Sequence, residues 1–184
     1  GSGPIQPELR AIDAYNAEEK LIEWIRQFGV TTVHTGHQPS ALVSGQTLIA
    51  KTSGKTVDGS VIVPEAMIAV TLGNNALAGQ GRSPGTRAKQ MAMLRAELIK
   101  AQENSKKTDA SKDLRSAAWV SVIKREIPLL ITANKAQDIM SALRLAKEFD
   151  LRIVLDGVAD AQLVMDDIKA SGFPVIVHPT MARA

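Results

Sequence analysis

Three short apolar runs, at 129–131, 153–155 and 175–177, alternate with two stretches whose apolar residues recur at helical spacing. That alternation predicts strand, helix, strand, helix, strand, the pattern of parallel βαβ units. In the first helical stretch Asn134 is placed to N-cap, with Gln137 three residues on, and Ile139, Leu143, Ala146 and Phe149 form one stripe. The second runs over about 160–172, with Asp160 as its cap, Val164 and Ile168 on one face and Gly172 as its stop. Parallel α/β folds bind ligands at the carboxyl ends of their strands. Those ends are Thr132-Ala133-Asn134, Asp156-Gly157 and His178-Pro179.

The same reading applies upstream. Asn16 caps a helix that ends at Gly29, with Leu21, Ile22, Ile25 and Phe28 as its apolar face, and a short strand at 30–33 forms another αβ unit with it. Residues 41–52 read as a strand or strand pair interrupted at Ser44-Gly45, and 53–63 as turns around a small hairpin. Pro64 suits a first helical turn, which predicts a helix to about Leu72. A long loop over 73–85 leads into a helix to about 107, with Ser83 as N-cap, Pro84 at N1, and Met91, Leu94, Leu98 and Ala101 as its stripe. The charged segment 104–113 reads as a hinge, and 110–125 as a helix presenting Leu114, Ala118 and Val122.

Composition narrows the class. The 184 residues suit one domain over 4–184, after a Gly1-Ser2-Gly3 that reads as a cloning scar. Aromatic residues are 3 %, so aliphatic side chains must fill the core. A net charge of +3, with no basic stripe carrying interleaved aromatics, does not point to nucleic acid. No apolar run approaches the roughly 20 residues of a membrane span. With no cysteine, disulfides and thiol catalysis are excluded.

Few residues suggest chemistry. His34 and His37 form H-x-x-H, a spacing open to a metal pair. No carboxylate lies nearby in sequence, and two polar residues at a strand end is the plainer reading. The glycines of the 73–85 loop, Gly79, Gly81 and Gly85, miss the dinucleotide spacing by one residue and follow no convincing strand. Asp156 and His178, both at strand ends, are the candidate catalytic groups.

Four stretches carry a resemblance: PELRAIDAYN at 7–16, GVTTV at 29–33, SGQTLIAKT at 44–52, and the block 128–179. They resemble the metal-dependent amidohydrolase superfamily, in the branch of imidazolonepropionase-like and secreted amidohydrolase-related proteins. The family has a His-Ala-His run where this chain has Thr132-Ala133-Asn134, and Glu-His where it has Asp156-Gly157. Phe173-Pro174-Val175 keeps the family's last element. The resemblance implies an α/β fold, either a partial (β/α) TIM-type barrel or an open parallel sheet flanked by helices. It also implies that the domain is part of a larger barrel. Active members hold zinc or another divalent metal. Carried over by position, the ligand places fall on Thr132 or Asn134 and on Gly157, so no metal and no other cofactor is expected in this chain. Lys51 is a candidate for the family's carboxylated lysine, against the simpler reading of an ordinary loop lysine. His34, His37, Lys51, Thr132 and Asn134 are the candidate ligand-binding residues.

The function implied is an amidohydrolase-like domain, inactive as it stands. The alternative is a non-catalytic binding or assembly module. Its expected partners are further copies of itself or missing segments of the same protein, with neither nucleic acid nor membrane. Bacterial secretion or a periplasmic location follows from the resemblance alone.

Overall fold

The computed structural model describes residues 3–79, 81–106 and 113–178. In chain order the elements are α1 (Lys20–Gln27), β1 (Thr32–Thr35), β2 (Val43–Gln46), β3 (Leu48–Lys51), α2 (Val57–Ser60), β4 (Val61–Val63) and β5 (Ile68–Thr71). There follow α3 (Arg87–Ser105), α4 (Leu114–Ile123), β6 (Leu129–Ala133), α5 (Ala136–Phe149), β7 (Ile153–Gly157), α6 (Met165–Ser171) and β8 (Val175–Val177).

The main sheet has the order β2-β5-β6-β7-β8. Strands β5 to β8 are parallel, and β2 is antiparallel to β5. Alternation along the strands separates two faces. Leu129, Ile131, Ala133, Ile153 and Leu155 pack with Leu94, Leu98, Trp119, Ile139, Ala142 and Leu145 of the helices in one core. Burying one such aliphatic side chain contributes about 1.5–3 kcal/mol. The opposite face, with Leu130, Thr132, Val154, Asp156 and Ile176, is half-buried. This is the expected parallel sheet flanked by helices, open rather than closed into a barrel.

The two edges of the sheet differ. Ile5 and Arg10 bridge to Val43 and Gln46, so the lead-in segment lines the outer side of β2. Among the described residues no strand pairs with the outer side of β8. There Val175 and Val177 stand 37 % and 73 % exposed.

Several expectations fail, each for a local reason. The stretch expected as a helix from Pro64 to Leu72 contains β5, fully buried between β2 and β6. Its Ile-Ala-Val-Thr core suits an extended, doubly packed strand, and the slot between two partners outweighs the Pro64 signal. The strand expected at 30–33 is β1, which pairs antiparallel with β3 in a separate sheet of order β1-β3-β4. It therefore makes no αβ unit with α1, which buries none of its residues and leaves Leu21 and Phe28 59 % and 70 % exposed. The interruption at Ser44-Gly45 is a bulge inside β2, and the chain passes from β2 to β3 at Thr47. The hairpin expected within 53–63 does not form: α2 occupies part of that stretch, and β4 pairs instead with β3, which precedes it.

The caps also move. Thr86, not Ser83, caps α3 by accepting from the Lys89 N–H. Lys135 stands at the α5 cap position without a side-chain bond, so Asn134 does not cap it. Asn16 accepts from the Glu18 N–H, and α1 begins only at Lys20. Over 160–172 a 3-10 turn precedes the shorter α6, which ends at Gly172 as predicted, with φ +68°. Leu114 opens α4 at 74 % exposure instead of joining the core. Residues 107–112 of the expected hinge, and Pro179, lie outside the described residues.

Candidate functional site

Parallel pairing in register sets Thr71, Thr132, Asp156 and Ile176 in one row across the carboxyl ends of β5 to β8. Registered residues of a parallel sheet share a face, here the half-buried one. The Thr132 hydroxyl donates to Asp156 Oδ2 at 2.7 Å, and His178 Nε2 lies 2.6 Å from Asp156 Oδ1. The Asp156 side chain is 13 % exposed and that of His178 is 60 % exposed. One largely buried carboxylate thus has both oxygens engaged and joins three strand ends. Beside it, the buried Thr71 hydroxyl has no partner.

Asn134 and Gly157 fit together around the next turn. Gly157 has φ +84°, and a Cβ there would press on Asn134 Oδ1. The Asn134 carbonyl accepts from the Asp160 N–H at 2.9 Å. Asp160 does not cap the helix that follows it. Its carboxylate accepts from the Ala136 N–H at 3.4 Å and sits 3.6 Å from Lys135 Nζ, at the start of α5. An acidic group there suits the positive end of the helix dipole.

The remaining candidates scatter. His34, in β1, lies 2.7 Å from Thr47 Oγ1. The residue as a whole is exposed, yet crowding of its ring pushes the imidazole below its usual value, and the Asp156 carboxylate partly opposes that. The structure therefore brings His34 within electrostatic reach of Asp156. His37 is not brought there. Its ring packs over Gly45, with Nε2 buried and unpartnered. Lys51 is exposed on the three-stranded sheet, donating to Thr32 Oγ1 at 3.1 Å.

A cavity of about 470 Å³ lies between α1 and β1, lined by Ala11, Tyr15, Ile22, Ile25, Val33 and His34 among others. Burial pushes the Tyr15 phenol up, so it stays protonated at neutral pH.

Could these groups hold a divalent metal? Zinc sites use three or four good ligands. Among the described residues no three His, Asp or Glu side chains gather as such a set. Asp156 is spent on Thr132 and His178, Asn134 offers a carboxamide, and Gly157 offers nothing. The donor set does not fit.

Two features behind the strand ends escape a reading of the sequence. Gly73, just past β5, is held by Gln90 through two bonds, Gly73 N–H to Oε1 at 3.0 Å and Nε2 to the Gly73 carbonyl at 2.9 Å. Arg87 Nε donates to the buried Asp138 at 2.8 Å. A signal for Asp138 does exist in the sequence. It shares helical spacing with the buried Ala142, Leu145 and Phe149, and so falls on the core stripe.

No protein-family model matches the chain, and neither does any curated protein. Among solved structures, it is similar to one described as an amidohydrolase from Thermotoga maritima MSB8, with a TM-score of 0.94 and 24 % identity. The likeness covers 99 % of this chain and 51 % of that one, so the chain spans about half the length of its structural neighbour. At that identity the comparison establishes a shared fold: this chain folds like about half of that structure.

Proposed function

We propose that the chain is an amidohydrolase-like domain related to metal-dependent C–N hydrolases, and that by itself it does not hydrolyse amides. The fold likeness supports the first part. The second is carried by one observation, the Asp156 carboxylate already satisfied by Thr132 and His178, beside a glycine at the neighbouring strand-end position. Water bound to no metal has a pKa near 15.7, against about 7 on zinc. The test adds zinc, manganese or cobalt to the purified chain and follows N-acyl amino acids, dipeptides and cyclic amides. No turnover above buffer is expected. Metal-dependent turnover abolished in Asp156→Asn would overturn the reading.

A second reading, a binding or assembly module of a larger amidohydrolase-related protein, draws on the outer side of β8, which no strand pairs among the described residues. A parallel edge with exposed Val177 is a template for another strand. A further copy of the chain, or other segments of the same protein, would cover it. Light scattering that finds a monomer at high concentration would remove the first of these. Nucleic acid and membrane are not proposed as partners. A secreted or periplasmic location is proposed on the resemblance, and fractionation of the source cells tests it.

A further inference from the structure

We infer that Asp156 is a hydrogen-bond hub which holds the ends of β6, β7 and β8 together, and that the Thr132–Asp156–His178 network is what fastens the short strand β8 to the sheet. The strand-end donors do not suit a divalent ion, yet they are not simply lost. Thr132 donates to Oδ2 from β6, and His178 reaches Oδ1 from the end of β8. The carboxylate between them belongs to β7 and is largely buried, so its negative charge needs close partners. A carboxylate only accepts, so in this contact His178 donates from Nε2.

The arrangement matters most for β8. That strand has three residues and, among the described residues, one neighbour, and both its valines are exposed. Short edge strands open locally at little cost. The contact from His178 to Asp156 fastens β8 just past its last ladder pair, Gly157 with Val177. Removing the hub should therefore free β8 before it affects the core.

The experiment follows amide hydrogen exchange along the full chain. Asp156→Asn and His178→Ala should each speed exchange in β8 by about tenfold or more, the scale of one hydrogen bond to a charged group, and leave α5 unchanged. Thr132→Val should act in the same direction, while Thr132→Ser, which keeps the hydroxyl, should behave as the wild type. Ring nitrogen shifts of His178 in the wild-type protein should show the proton on Nε2, a readout that needs no variant to fold. Unchanged β8 exchange in Asp156→Asn, equal rates in Thr132→Val and Thr132→Ser, or an unprotonated Nε2 overturns the inference. So does one equivalent of zinc that survives dialysis against a mild chelator and is lost in Asp156→Asn. None of these outcomes depends on amide turnover, so the inference and the hydrolase reading fail separately.

Discussion

The carboxylate of Asp138 rests against the α-carbon of Gly73, in the space a side chain there would need. Gly73 also has φ +82°, a conformation that side chains resist. With Arg87 and Gln90 attached to the same pair, the end of β5 is fastened to the first turns of α3 and α5. The carboxyl end of β5 is positioned by this contact.

Gly73→Ala should therefore destabilise the fold by about 2 kcal/mol or more, combining backbone strain with displacement of a buried carboxylate. Urea unfolding measures it as a lower midpoint at unchanged slope. A wild-type midpoint would mean that the contact is loose.

Arg87→Ala should cost about 3 kcal/mol, because it leaves a carboxylate that is 6 % exposed without its cation. The pair Arg95 with Glu148 supplies the control. Its side chains are 39 % and 42 % exposed, and Arg95→Ala should cost less than about 1 kcal/mol. Equal costs in the two variants would contradict the difference in burial.

His34 should titrate below its usual value of 6.5. The sign follows from linkage. A histidine whose folded value is lowered favours the neutral form, so its contribution is present above the unfolded value and is lost as pH falls through the folded one. Stability should thus decline on the acid side of about 6.5, and less so in His34→Gln. In Asp156→Asn the opposing attraction disappears and the His34 midpoint should fall further. Proton NMR of the ring reads both shifts, and a rise in Asp156→Asn would refute the link between the two residues.

The two tryptophans should report different surroundings. Trp119 is 2 % exposed in the core, while Trp24 is 56 % exposed on α1 and stacked edge-on against Phe28. Acrylamide should quench Trp24 strongly in Trp119→Phe and barely touch Trp119 in Trp24→Phe. Protection of Trp24 at high protein concentration would mean that another chain covers α1.

The unit from β6 to β8 was legible from the chain because each piece is locally complete. A short apolar run, an amphipathic helix and a glycine stop carry their own periodicities, and these place Thr132, Asp156 and His178 at strand ends without knowledge of neighbours. A parallel sheet follows from the same alternation, whereas its being open rather than part of a barrel does not. Strand β5 was not legible. Four residues cannot distinguish helix from strand by spacing, and only the ladders from β2 and β6 decide for the strand. For α1 the error runs the other way: its stripe is helical, but a stripe does not say whether anything will cover it, and here it stays largely exposed. The hub at Asp156, the approach of His34 and the lock between Gly73 and Asp138 each join segments far apart in sequence. Such contacts depend on strand register and on the packing of helices against the sheet, which no local pattern encodes, so tertiary structure alone decided them.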